Sequence, residues 1–461
     1  MATTPYHEQM VEFLNSSWTC FHAIAECKRR LVADGYSEID ERSPWRGALV
    51  PGGKYYFTRN DSSIIAFAVG KKYVAGNGIV AIGAHSDSPC LKLKPKSKIT
   101  SAGYQQLGLQ TYGGGLWNSW FDRDLGLAGK VLLQGTDGTI TARLCCINKA
   151  VCRIPTVAIH LARGTGTELK INVETDLPAV IASCVKAQLD GDKGDAHHPI
   201  LLKLVAENLQ VDIDSIVDFE LQLCDVQPST IGGARDEFLI SGRLDNLCSS
   251  FCGLQALIES TQATDALDNE ESIRMLAVFD HEEIGSTSTS GARGTLMMDS
   301  VSRIAKAFGS VEVDDVVERS AQRSYIISAD MAHGIHPNQP GKHERNHGPM
   351  FHEGVVIKTN VNQRYATNSI TSSMFKEFAK RGQGKIQEFV IKQDMGCGST
   401  IGSILASGTG IRTVDVGCPQ WSMHSAREVM GTEDVTHAVN IFRAAYTSFT
   451  EVDRLYESAR V

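Results

Sequence analysis

Arg274-Met275-Leu276-Ala277-Val278-Phe279-Asp280-His281-Glu282-Glu283-Ile284-Gly285 is an apolar run that ends in a cluster of acids around one histidine. A short apolar run bounded by turn residues reads as a buried strand. Adjacent carboxylates just past such a strand repel one another and lose hydration unless a proton or a metal ion offsets their charge. The stretch therefore predicts an element and, at its carboxyl end, a chemistry.

The same arrangement recurs along the chain. Gly78-Ile79-Val80-Ala81-Ile82-Gly83-Ala84 leads into His85-Ser86-Asp87, and Tyr325-Ile326-Ile327-Ser328-Ala329 leads into Asp330. Asp245, in Gly242-Arg243-Leu244-Asp245-Asn246, precedes a helix predicted over 246–260, and His424 lies in Trp421-Ser422-Met423-His424-Ser425. Strands over 387–391 and 411–416 alternate with helices near 299–308, 369–381, 400–407 and 432–458. That rhythm predicts a mostly parallel or mixed sheet covered by helices on both faces. Such sheets place their chemistry beyond the carboxyl ends of the strands, where these patches fall. Upstream, residues 5–33 carry helical spacing and read as one amphipathic helix, and 54–59 and 63–69 flank Asn60-Asp61 as a hairpin.

Between the first and second patches the character changes. Residues 93–236 hold strand-like pieces separated by glycine-rich turns, among them 139–146 and 156–160, with a polar loop at 191–195. We read 93–236 as an inserted strand-rich domain, and 1–92 with 237–461 as one discontinuous catalytic domain. The length of 461 residues exceeds one ordinary domain. The net charge of -8 gives no electrostatic footprint for nucleic acid. No apolar run approaches a membrane span, and the N-terminus lacks the basic-then-apolar layout of a secretion signal. Twelve scattered cysteines without a Cys-x-x-Cys pair read as reduced core thiols, so the expected location is cytoplasmic.

Carboxylate and imidazole donors suit zinc, manganese and cobalt, and no thiolate cluster suggests a structural zinc site. In a two-metal hydrolase the ions polarise the scissile carbonyl and acidify a shared water, while a carboxylate that is not a ligand moves the proton. Each patch alone has an ordinary reading: a surface histidine, a helix cap at Asp245, a solvated acidic turn at 282–283, a loop acid at 330. Their analogous places in one alternating fold outweigh those readings together. Spacing does not decide between Glu282 and Glu283 as the base. Gly113-Gly114-Gly115 and Gly396-Cys397-Gly398 lack nucleotide-loop spacing and read as close backbone approaches near the site. Gly285-Ser286-Thr287-Ser288 is no nucleophile elbow.

Gly83-Ala84-His85-Ser86-Asp87-Ser88-Pro89, Asp280-His281-Glu282-Glu283-Ile284-Gly285-Ser286, Asn362-Gln363-Arg364-Tyr365-Ala366-Thr367 and Met423-His424-Ser425-Ala426-Arg427-Glu428 together resemble the M18 family of aspartyl aminopeptidases. The resemblance runs from the N-terminal helix to the C-terminal one. It implies a zinc-peptidase-like α/β/α catalytic domain with an inserted β-rich dimerisation domain, removing N-terminal Asp, and less readily Glu, from peptides. It implies two divalent ions per subunit, zinc foremost, with manganese or cobalt sharing the ligands. Asp245 would bridge them, His85 and Asp330 would complete one ion's ligands, and Glu283 and His424 the other's. Glu282 would be the general base, and Asp87 would orient the His85 ring. Lys358 and His333 would meet the acidic substrate side chain. His160 alternates with apolar neighbours and by itself reads as a buried structural histidine; the resemblance instead sends it from the inserted domain into a neighbouring subunit's site. His352 either belongs to the site or braces it. The implied assembly is a tetrahedral dodecamer built from dimers. A neutral aminopeptidase, a carboxypeptidase-like enzyme, an N-acyl amino acid hydrolase and a vesicular cargo or scaffold remain the competing readings.

Overall fold

The computed structural model describes residues 4–166, 168–187, 196–309 and 315–459, so the polar loop expected at 191–195 lies outside the described residues. The apolar run is the strand Ile273–Phe279, buried at every position. It lies parallel to Ile79–His85 with Phe279 opposite His85. Tyr325–Ala329 lies parallel on the other side of Ile79–His85, with Ser328 opposite Gly83. These strands occupy the middle of a nine-stranded sheet. Its order is Ser37–Glu38, Lys54–Arg59, Ser63–Val69, Ile273–Phe279, Ile79–His85, Tyr325–Ala329, Arg412–Gly417, Val355–Thr359 and Ile386–Val390.

Four consecutive central strands, from Ile273–Phe279 to Arg412–Gly417, are parallel. They are mostly apolar because neither face meets water, the condition that produces continuous rather than alternating hydrophobic runs, with Arg274, His85, Ser328, Arg412, Thr413 and Asp415 among the polar exceptions. Successive side chains still divide between the faces. Val80, Ile82, Leu276 and Val278 join Phe251, Phe442 and Tyr446 in one core, beneath the helices Leu244–Ser260 and Thr432–Leu455. Ile79, Ala81, Met275 and Ala277 join Leu296, Ile304, Ile401 and Leu405 in the other, beneath Leu296–Phe308 and Ile401–Thr409. Each large aliphatic side chain buried this way stabilises the fold by about 1.5–3 kcal/mol. Those layers are the reserve against which crowded acids at the strand ends are tolerated.

Residues 90–225 supply a separate six-stranded antiparallel sheet, ordered Ile140–Cys152, Leu125–Gln134, Ile216–Asp225, Cys90–Ser101, Tyr104–Tyr112 and Ala179–Ser183. It has its own core of Leu91, Leu107, Leu127, Val131 and Leu223, closed by Leu201 and Val205 of the helix Pro199–Leu209. A third sheet joins Thr230–Gly232, Phe238–Ser241, Glu428–Gly431, Pro419–Trp421 and Ala332–His333.

Three local expectations change. The N-terminal helix is two, Tyr6–Ser16 and Cys20–Ala33, because Thr19 turns the chain and caps the second by accepting from the His22 amide. Residues 156–160 form no strand: beyond Ile154 the chain leaves the sheet, and Val157, Ile159 and Leu161 are exposed. His160 is accordingly exposed rather than buried. The strand Val355–Thr359 appears within a polar, histidine-rich stretch whose three-residue apolar run was too short to mark it. The hairpin and the strand at Tyr325–Ala329 stand as expected. All twelve cysteines are free. Among the described residues no helix is long and apolar enough to cross a membrane.

Candidate metal centre

The strand register assembles the site. With Phe279 opposite His85, the acids after one strand meet the histidine ending the next, and the Ser86 amide donates to the Phe279 carbonyl at 2.8 Å. Carrying the Tyr325-to-Val80 register forward places Asp330 across from His85 on the other side. Asp245 arrives at the head of Leu244–Ser260, where Asp245 and Asn246 leave helical geometry; the Asn246 side-chain amide donates to the Ala329 carbonyl at 2.8 Å and ties this bend to the strand that presents Asp330. His424 comes from the loop between Pro419–Trp421 and Glu428–Gly431.

Three donor groups result, His85 with Asp245 and Asp330, Asp245 with Glu283 and His424, and His85 with Glu282 and Glu283, each with its ligand atoms within 4.8 Å of one another. Asp245 joins the first two. Its Oδ1 lies 3.3 Å from His85 Nε2 and its Oδ2 lies 3.5 Å from His424 Nε2, so one buried carboxylate faces two sites with two oxygens. Asp330 Oδ1 is 3.6 Å from His85 Nε2, and Glu283 Oε2 is 3.4 Å from His424 Nε2. Glu282 stands beside them, its Oε2 3.9 Å from His85 Nε2.

Both imidazoles are held in the same sense. His85 Nδ1 lies 3.0 Å from the main-chain carbonyl of Asp87, and His424 Nδ1 lies 3.0 Å from that of Gly114. With Nδ1–H donating to a carbonyl, each Nε2 lone pair points at the acids, the usual preparation of a histidine for a metal. The carboxylate of Asp87 lies farther from the ring, at 3.4 Å. Its short contacts go elsewhere: it accepts from the amides of Glu282 and Glu283 at 3.1 Å each and from the Tyr112 hydroxyl at 2.7 Å. Asp87 therefore fixes the acidic turn as well as flanking His85.

The electrostatics are those of a cation site. Burial, with Asp245 and Asp330 close by, pushes Glu282 up to about 8 even against the pull of His85. Burial and Asp245 raise Glu283 well above the carboxylate range. Asp245 is held low because His424 and His85 outweigh its burial. Burial would lower both histidines, yet the surrounding carboxylates raise His85 well above its ordinary value and His424 to about 10. The acids thus pull each imidazole toward its charged form, a demand for positive charge that divalent ions would meet with the imidazoles neutral. Asp245 Oδ1 and Glu283 Oε1 are buried without a hydrogen-bond partner. Unpaired buried carboxylate oxygens are costly unless a cation meets them, so the donor set fits divalent metal.

Of the other expected residues, Lys358 is close and buried: its ammonium donates to the Met331 carbonyl at 2.9 Å and lies 3.8 Å from Asp330 Oδ2. His333 follows at the end of Ala332–His333, its ring 6.1 Å from that of Phe389, on a cavity of about 370 Å³ shared with His336, His343 and Trp421. The structure does not bring His160 into the cluster. The main-chain amide of His352, with that of Gly354, donates to the buried Asp434 at the head of Thr432–Leu455, while both ring nitrogens of His352 are buried without a hydrogen-bond partner. The glycine run does approach the site, since a Cβ on Gly113 would lie 3.1 Å from that of Glu283. Sequence reasoning missed Tyr112 and Glu428, which accepts from the Asp245 and His424 amides, and it flagged the glycine run without identifying the Gly114 carbonyl as the partner of His424. Glu428 carried a signal as the last residue of a motif quoted for its histidine.

Residues 13–446 match the family described as aminopeptidase I zinc metalloprotease (M18). A probable aspartyl aminopeptidase of Ricinus communis is 49% identical over 472 residues, covering 96% of this chain and 95% of its own. An aspartyl aminopeptidase of Aspergillus oryzae is 42% identical, covering 96% of both. Among solved structures, the one described as a cryo-EM structure of the Ape4 and Nbr1 complex superposes with a TM-score of 0.95 at 41% identity, covering 98% of this chain and 87% of the other. The Saccharomyces mApe1 dodecamer gives 0.86 at 31% identity, covering 98% of each.

Proposed function

Because the chain belongs to the M18 family of zinc metalloproteases and is an aspartyl aminopeptidase, a metal-dependent exopeptidase, we propose that the two donor groups sharing Asp245 hold two divalent ions and that Glu282 moves the proton during hydrolysis of an N-terminal Asp, and less readily Glu, residue. The observation that carries this reading is Asp245, whose two oxygens face His85 on one side and His424 on the other.

His85 and Asp330 would hold one ion, Glu283 and His424 the other, with Asp245 between them; zinc comes first, and manganese or cobalt accept the same donors. Divalent ions held by these residues would supply Lewis-acid polarisation of the scissile carbonyl and a water of lowered pKa. Glu282 also falls in a donor group with His85 and Glu283; in this reading it stays off the ions, and its carboxylate would take the water's proton and return it to the leaving amine. Lys358 and His333 would receive the substrate's acidic side chain. One Lys358 hydrogen already binds the Met331 carbonyl, leaving two for a substrate carboxylate. The free α-amine would face the acids around the ions.

The six-stranded sheet, over residues 90–225, would form the dimerisation domain read from the sequence as 93–236. The exposed Val157, Ile159 and Leu161 around His160 favour burial against a second copy, with His160 entering that copy's site. The dodecameric relative supports a dodecamer assembled from such dimers, with tetrahedral symmetry as its closed form. The reading places the enzyme in the cytoplasm, acting on peptides with acidic N-termini.

The test compares initial rates of residue release from matched Asp-, Glu-, Ala- and Leu-initiated peptides, using chelated enzyme with zinc or manganese restored. We expect metal-restored release favouring Asp over Glu and both over Ala and Leu. Lys358→Met is expected to depress Asp turnover far more than Ala turnover, by about 2–5 kcal/mol of lost charge pairing. Equal losses on the two substrates would remove Lys358 from the specificity pocket.

A further inference from the structure

Glu428 is 2% exposed and begins the strand Glu428–Gly431, where it pairs with Ser241. Its two oxygens go to two different segments. Oε2 accepts from the Asp245 amide at 3.1 Å, and Oε1 accepts from the His424 amide at 2.8 Å. The segments run backbone against backbone: a Cβ on Gly242 would lie 2.7 Å from the Ala426 carbonyl. One rigid carboxylate thus spans the two backbones from which Asp245 and His424 project.

Asp434 offers an internal comparison a few residues on. It is also buried and also accepts two main-chain amides, from His352 and Gly354, each at 2.9 Å. The device is the same, but the segments it joins carry none of the expected ligands. Asp87 does for Glu282 and Glu283 what Glu428 does for Asp245 and His424.

We propose that Glu428 is a positioning residue that fixes the separation of Asp245 and His424, and so sets the affinity of the metal position they share with Glu283. This rests on the ligand reading above. Both oxygens of Glu428 are engaged by main-chain amides, and a geometry held from outside the ligand set is the kind of support whose loss weakens metal binding about 10–100-fold. Glutamine at 428 keeps one acceptor and turns its NH2 toward the other amide, so one of the two bonds is lost.

The experiment titrates chelated wild-type, Glu428→Gln, Glu428→Asp, Asp434→Asn and His424→Gln proteins with zinc against a chromophoric competitor, and records thermal unfolding without metal. We expect Glu428→Gln to weaken one zinc-binding step about 10–100-fold and to lower kcat more than KM. Asp434→Asn should lower Tm and leave both zinc constants at wild-type values. If Glu428→Gln does not fold, the shorter Glu428→Asp decides the matter, with a weakened zinc step in support and wild-type constants against. Wild-type zinc constants in Glu428→Gln, or equal weakening in Asp434→Asn, overturn the proposal while the ligand reading stands. Unaltered zinc binding by His424→Gln overturns both.

Discussion

The two ends of the strand Ile273–Phe279 bury charge in opposite ways. At its start, Arg274 meets Glu270 through hydrogen bonds of 3.0 and 2.7 Å, and its remaining donors reach the carbonyls of Ser260 and Ala266. The other Glu270 oxygen accepts from the amide and hydroxyl of Ser272. Every charge there is answered within the fold. At the far end, Glu282 and Glu283 crowd Asp245 and Asp330, and Asp245 Oδ1 and Glu283 Oε1 have no hydrogen-bond partner. The difference teaches how to read a buried acid. A saturated one is structural; a cluster aimed at itself with oxygens to spare is organised around a cation supplied from outside.

Substitutions at the two ends should therefore fail in different currencies. The largest effect belongs to the C-terminal end: Glu282→Gln should cut kcat about 10²–10⁴-fold while zinc stoichiometry and Tm hold, as metal analysis and calorimetry would show. Retained turnover would remove Glu282 from the base position. At the start of the strand, Arg274→Met should leave Glu270 buried and unpaired, at a cost of about 3–5 kcal/mol in stability, measured by urea unfolding. Its zinc constants should match wild type; altered constants would erase the distinction between the ends.

A third effect, on the order of a few kcal/mol, separates the ends by pH in chelated protein. Glu282 and Glu428 are both raised to about 8, by burial first and then by nearby acids, Asp330 and Asp245 for Glu282 and Asp245 for Glu428. An acid raised in the folded state holds its proton where the unfolded chain has released it, so stability falls as pH rises from about 4.5, the unfolded glutamate range, to about 8. Unfolding across that window should show the decline without metal and a flatter profile with zinc; the same decline in both would count against a cation at the cluster. The smallest effect is expected from Tyr112→Phe, which removes one of the bonds to Asp87 and should cost about 1.5–3 kcal/mol, read as lower kcat with the inserted sheet still folded.

Much of this was legible in the chain. Short, mostly apolar runs bounded by turn residues, such as 273–279 and 325–329, read as buried strands, and acids following them declare a site because crowded charge has few physical explanations. The cost of burying those groups is local, so the sequence itself determined the α/β core, the run of strand-end acids and histidines, and the kind of ion they suit. Glu282 and Glu283 were not separable by position, because neighbours in a chain share nearly the same neighbourhood. What the tertiary structure decided is who holds whom. Asp245 faces two histidines only after a strand end and a distant loop converge on its bend. Tyr112 and Gly114 enter from another sheet, and Glu428 clamps segments far apart along the chain. His160 ran the other way, its alternation suggesting a buried strand where the chain in fact leaves the sheet. Periodicity and charge are written residue by residue, whereas a hydrogen bond across the fold depends on where two remote backbones cross, and that is fixed only when the cores on both faces of the sheet have packed.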